Sequence, residues 1–94
     1  MEEFDSLEWD DNKCLANIAK HFLDFADAVH VLRGNCLMIP AKTVAGETRK
    51  IALGMLDDVC VAIVYTRRGS ALRLISMRKA RYGEQKRYDE VFGD

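Results

Sequence analysis

VCVAIVYTRRGSALRLISM, residues 59–77, decides the fold. Residues 59–66 are apolar nearly throughout, as a strand covered on both faces is. Arg67-Arg68-Gly69-Ser70 then reads as a hairpin turn, because glycine takes the positive φ of a tight turn without steric cost. Residues 71–77 return with Leu72 and Leu74 inward, followed by Ser76 or its neighbour, and this leaves Arg73 and Ile75 on the other face. The pattern is a central antiparallel hairpin with arginine on one side.

Toward the C-terminus the pattern predicts a helix from Arg78 onward, with Ala80, Glu84 and Arg87 three or four apart and Tyr88, Val91 and Phe92 able to dock. Gly83 weakens that helix by about 1 kcal/mol relative to alanine. From Arg67 through Arg87 there are eight basic residues against one acid, Glu84, although the whole chain has 14 Lys and Arg against 15 Asp and Glu. A nearly neutral chain with one strongly cationic element implies a polyanionic partner, or an acidic segment that covers it. Residues 1–11, with six acids and no base, are the natural intramolecular counterweight, and Phe4, Leu7 and Trp9 anchor them in a short strand-like segment.

Upstream of the hairpin, residues 48–55 form a strand joined to it across Leu56-Asp57-Asp58. A brief apolar strand at 36–39 ends at Pro40, and AKTVAGET, residues 41–48, is a loop. Two short helices come first. Asp10 reads as the N-cap of a helix over Asp11–His21, with Cys14, Leu15, Ile18 and Phe22 as its inward stripe and Lys13, Asn17 and Lys20 on a polar face. Asp24 caps a second helix whose buried stripe is Phe25, Ala28, Val29 and Leu32, and Gly34-Asn35 stops it. The 94 residues are expected to form one domain of the α+β class, two N-terminal helices packed on a twisted antiparallel sheet plus a C-terminal helix.

Three cysteines, Cys14, Cys36 and Cys60, are odd in number, lack CxxC spacing and sit among apolar residues, the pattern of buried thiols in a reducing compartment. The acidic N-terminus does not have the form of a signal peptide, and no apolar run approaches the roughly 18 residues of a membrane span, so a cytoplasmic protein with no membrane partner is expected. His21 and His30 fall in no HxH or HExxH pattern, which argues against a metal site, and no P-loop, GxSxG or other cofactor motif is present. The chemistry left open is metal-free handling of a phosphodiester, in which the ribose 2′-OH is the nucleophile and the protein supplies cations and proton carriers. Arginine suits this work because its rigid fork can make two bonds to one phosphate.

The candidate phosphate-stabilising cations are Arg49, Arg73 and Arg78, and the candidate proton carriers are Lys20, His21 and Glu47. Lys13, Tyr65, Arg68, Lys79, Arg81, Arg87 and Tyr88 are candidate RNA contacts. Plainer roles stand beside these. His21 suits a packing histidine, Glu47 and Arg49 suit a surface ion pair, and Tyr65, which could stack on a base, equally suits the core at the end of a strand.

Four blocks in order then resemble one family: LEWDDNKCLANIAKH, ETRKIALG, IVYTRRG and RLISMRKARYGEQKRY are similar to motifs of the BrnT-type toxins of bacterial type II toxin–antitoxin modules. The resemblance implies a RelE-like fold, translation-inhibiting endoribonuclease activity, RNA as substrate, and a cognate ribbon-helix-helix antitoxin (BrnA-like) through which DNA is contacted only indirectly. The matching polar positions are Trp9, Lys13, Asn17, Lys20, His21, Glu47, Arg49, Tyr65, Arg68, Arg73, Ser76 and Arg78. Phe22 stands where these toxins usually have glycine, and the loop before Glu47 lacks their His-Ser pair. The alternative function is a non-catalytic basic module that docks an acidic protein or a nucleic acid, with binding that falls steeply with salt.

Overall fold

A computed structural model describes residues 3–93, so Glu2 of the acidic end and the terminal Asp94 lie outside it. The elements in order are β1 (Ser6–Glu8), α1 (Asp11–His21), a 3-10 turn (Phe25–Asp27), α2 (Ala28–Leu32), β2 (Cys36–Pro40), β3 (Lys50–Leu56), β4 (Val59–Arg68), β5 (Ala71–Lys79) and α3 (Tyr82–Phe92). The five strands form one sheet in the order β1-β5-β4-β3-β2. The hairpin is central, as the sequence predicts, and Gly69 takes a φ of 60° at its turn.

The sheet is not wholly antiparallel. β1 pairs with β5 in parallel, with Leu7 opposite Leu72 and Glu8 opposite Arg73. An edge strand entering before a helix can run either way, and alternation in three residues carries no direction. The second helix is also shorter than expected: its first turn is 3-10 and only five residues are α-helical. Its buried residues are Phe25, Ala28, Val31 and Leu32, so Val31 takes the inward place expected of Val29. α3 starts later than expected because β5 continues through Arg78 and Lys79.

Residues opposite each other in an antiparallel ladder project to the same face, so the register sorts every side chain. Val61, Ile63 and Tyr65 of β4 share one face with Leu72, Leu74 and Met77 of β5, and these pack beneath Phe25, Ala28, Val31 and Leu32. The approach is close: a Cβ built on Gly54 would stand 2.7 Å from Val31 Cγ1, so only glycine fits there. A bulge holds the phase. Tyr65 pairs with Leu74 and Val64 with Ser76, which leaves Ile75 as an extra residue and makes Met77, rather than Ser76, the third inward position.

The opposite face is divided. Tyr88 of α3 packs there on Ile39, Leu53, Cys60 and Ala62, covering the half nearest β2 and β3. The remainder, around Val64, Thr66, Arg68, Arg73 and Ser76, is not part of either buried cluster.

α1 corrects the sequence reading most sharply. Asp10 caps it as predicted, accepting from the Asn12 and Lys13 amides at 2.8 and 3.2 Å. The stripe expected inside is largely outside, however: Leu15 is 65% and Phe22 87% exposed, and Ile18 is also exposed. The buried residue is Asn17. Its amide nitrogen donates to Met77 O at 2.8 Å and Leu23 O at 2.9 Å, and its oxygen accepts from Met77 N at 3.0 Å. β1 pairs only with residues 71–73 of β5, so the carboxamide does for Met77 what a further strand residue would do. Phe22 closes the helix at φ 60°, a left-handed conformation that glycine adopts at lower cost.

Candidate active site

The open half of the charged face is built from four segments. Thr66 on β4 lies opposite Arg73 on β5, and Arg73 lies opposite Glu8 on β1. Arg49 precedes Lys50, which pairs with Tyr65, so it continues the same row beyond β4. Thr66, itself buried, fixes that approach by donating from its hydroxyl to Thr48 O at 2.8 Å. Alternation puts Arg68 on the same face one step further along, toward the hairpin turn.

Glu47 joins this group from the loop. Its Oε1 lies 3.5 Å from Arg49 Nε, and its Oε2 accepts from Arg68 at 3.5 Å. Arg49 Nε is fully covered yet has no hydrogen-bond partner, so its donor capacity is unspent. Arg73 meets Glu8 at 3.8 Å, a distance and exposure at which an ion pair is worth about 0–1 kcal/mol. Glu47, Arg49, Arg68 and Arg73, predicted from separate motifs, therefore share one face, with Thr66 and Glu8 among them. Sequence reading missed both. Glu8 was legible only as part of an acidic end, and Thr66 only as a strand terminus.

Arg78 stands apart from this group. It pairs with Ala62, four ladder steps from the Arg73 row, which at the usual rise of a strand is about 13 Å. Its Nη1 and Nη2 donate to the two carboxylate oxygens of Glu84 at 2.7 and 3.0 Å, and Nη1 also donates to Lys79 O at 3.3 Å. Glu84 Oε1 accepts in addition from Arg81 N at 2.8 Å. The pair is mostly covered, with side-chain exposures of 16% and 14%. The hydrogen bond to Glu84 raises the Arg78 pKa, and that from Arg78 holds the Glu84 carboxyl below the ordinary carboxylate range. Deleting one partner of such a pair costs about 3 kcal/mol, because the other charge is left covered and unpaired. Arg78 and Arg73 therefore do not converge on one phosphate, as the sequence reading expected.

The other expected residues separate by environment. Tyr65 is 1% exposed, with its hydroxyl 3.3 Å from Met38 Sδ, so it is a core residue rather than a stacking platform. Tyr88 is likewise buried, packed between α3 and the sheet and tilted against Phe92. The inward phase after the bulge and the docking of α3 decide these two outcomes. Lys79 pairs with Val61 and projects from the face opposite Arg78. Arg81 and Arg87 are exposed on or beside α3.

On α1, Cys14 packs against the core beneath the two helical segments, on the side of the helix that also carries Ile18. Lys13 and Lys20 share the opposite flank of the helix. Both are exposed. His21, half-buried on the inward side of the last turn, is held between these flanks. Cys60 is buried and Cys14 and Cys36 are half-buried free thiols, with burial pushing each thiol pKa up. Among the described residues no cluster of three His, Cys, Asp or Glu side chains is arranged to hold a metal, and no helix is long and apolar enough to cross a membrane.

Comparison with known proteins adds two findings. The crystal structure of the Brucella abortus ribonuclease toxin BrnT is similar at a TM-score of 0.67 and 36% identity, over 81% of this chain and 96% of that one. No curated protein matches. The second finding is the family model described as the ribonuclease toxin, BrnT, of type II toxin–antitoxin systems; it matches residues 9–84, the span from Trp9 through the Glu84 that grips Arg78. The chain therefore belongs to the BrnT family of ribonuclease toxins.

Proposed function

We propose that this toxin cleaves RNA without a metal ion, by attack of a ribose 2′-OH on the adjacent phosphorus, on the open half of its sheet. The observation that carries the reading is the contact of Arg49 and Arg68 with Glu47, with Arg73 on the same face of the sheet. In this mechanism Glu47, held between two guanidinium groups, takes the 2′-OH proton. The 2′-oxygen bonds to phosphorus while Arg49 and Arg73 stabilise the charge that builds on the non-bridging oxygens. The bond to the 5′-oxygen breaks, and Lys20, from the α1 flank, supplies the proton that the departing oxygen takes. The products are a 2′,3′-cyclic phosphate and a 5′-hydroxyl. His21, half-buried, keeps its packing role in this scheme.

The type II family implies an antitoxin and an RNA substrate. In our reading the antitoxin carries a ribbon-helix-helix DNA-binding part, the toxin acts in the cytoplasm, the fold is RelE-like, and cleavage inhibits translation. The test is incubation of the purified toxin with RNA in EDTA, beside a substrate with 2′-deoxyribose at the cleaved position. Cleavage of the first and survival of the second is the expected result. A requirement for added divalent metal, or cleavage of the deoxy substrate, overturns the mechanism. Salt-sensitive binding with RNA left intact instead supports the basic-module function.

A further inference from the structure

We propose that Glu84 is a positioning residue of this ribonuclease, which ties Arg78 up as a brace for α3 and thereby makes Arg81 the phosphate contact on that side. The inference rests on the ribonuclease reading above. Its starting point is saturation. Both terminal nitrogens of Arg78 are engaged by the two oxygens of Glu84, so the end of the fork that grips a phosphate two-pronged is already occupied by a carboxylate of the same shape. The contact with Lys79 O fixes the guanidinium further.

The same carboxylate reaches the start of α3. Glu84 Oε1 accepts from Arg81 N at 2.8 Å, so one anion joins the last residues of β5 to the residue that precedes the helix. Arg81 is exposed, and its guanidinium makes no ion pair among the described residues, whereas Arg49, Arg68, Arg73 and Arg78 each have a carboxylate within 4 Å. Its fork is held by no carboxylate among the described residues, although the Glu84 charge acts on it, and unlike the similarly exposed Arg87 its backbone is fixed by Glu84 itself. Distance separates the roles further: Arg78 stands about 13 Å along the strand from the Arg73 row, so this end addresses a phosphate other than the one being cleaved.

The sign of the charge gives the proposal its test. Glu84 is an anion beside an RNA-binding surface, so if it acted only through its field, Glu84→Leu would tighten RNA binding. A positioning role predicts the reverse, since Arg81 is then no longer held at the helix start. A contact to a phosphate remote from the reaction contributes equally to ground and transition states, so its loss appears in KM and not in kcat.

The experiment measures kcat, KM and direct RNA affinity for the full-length toxin and for Arg81→Ala, Glu84→Leu and Glu84→Gln, with thermal melts on each. Arg81→Ala is expected to raise KM and the RNA Kd about tenfold with kcat and melting unchanged. Glu84→Leu, which removes the acceptor as well as the charge, is expected to raise both despite its gain in net positive charge, whereas Glu84→Gln, whose amide oxygen can still accept from Arg81 N, is expected to recover at least half of the wild-type affinity. The proposal is overturned if Arg81→Ala is neutral, if Glu84→Leu tightens binding, or if Glu84→Gln melts like wild type yet binds no better than Glu84→Leu. Arg73→Ala serves as the separate control, because it tests cleavage chemistry without touching this pair. If the wild-type chain leaves RNA intact, the ribonuclease reading fails and the affinity measurements alone decide the roles of residues 81 and 84.

Discussion

Two arginines five residues apart on β5 each meet a glutamate, and they have opposite meanings. Arg78 and Glu84 are 2.7 Å apart, doubly hydrogen-bonded and mostly covered. Arg73 and Glu8 are 3.8 Å apart, with side-chain exposures of 29% and 42%. The first pair is a joint, since breaking it strands a charge in a covered place. The second is a loose counter-ion contact that an RNA phosphate can displace at a cost of about 1 kcal/mol or less. Proximity of opposite charges thus does not classify an arginine. Geometry and cover do.

The comparison breaks most easily on stability. Arg78→Ala is expected to lower unfolding free energy by about 3 kcal/mol, and Arg73→Ala by no more than about 1 kcal/mol, in urea titrations of the two variants. Equal losses would mean that the two pairs are of one kind. On activity the ranking inverts: Arg73→Ala is expected to slow single-turnover cleavage at least about tenfold, which corresponds to about 1.4 kcal/mol of transition-state stabilisation. A kcat unchanged by that substitution would remove Arg73 from the reaction.

Acid sharpens the contrast. The Glu84 pKa is lowered in the folded protein, so its stabilising contribution is complete above the ordinary carboxylate pKa and is lost as pH falls from there through the folded value. Wild type and Glu84→Gln should therefore differ in melting temperature at pH 7 and converge in acid. A difference that persists undiminished at the lowest pH would assign the loss to packing instead. The smallest effect belongs to Glu8→Gln, expected to change stability by less than about 1 kcal/mol while modestly tightening RNA binding, as measured by filter retention at two salt concentrations.

Much of this was legible in the chain. The central hairpin, the Gly69 turn and the capping roles of Asp10 and Asp24 all follow from alternation and local turn chemistry, whereas the shared face of Arg49, Arg68 and Arg73 needs the strand register. The errors have a physical pattern. Periodicity assumes that apolar residues mark the buried face of a helix, but α1 meets a strand edge, where backbone donors and acceptors need partners more than methyl groups need cover. Asn17 is buried for that reason, and Leu15 and Phe22 are left outside. Tyr65 was ambiguous until the bulge at Ile75 fixed the inward phase of β5. Arg78 looked like another phosphate ligand because Glu84, six residues later, could be seen as the lone acid of a basic run but not as its clamp.

Asn17 also bears on the order in which the fold can close. Its partner Met77 lies 60 residues later in the chain, and β1, which carries Glu8, can pair only with β5. A nascent chain emerges N-terminus first, so neither α1 nor β1 has its ladder partner until most of the protein has been translated. The seating of α1 and β1 against the sheet therefore waits for the β4–β5 hairpin, although both elements are made first.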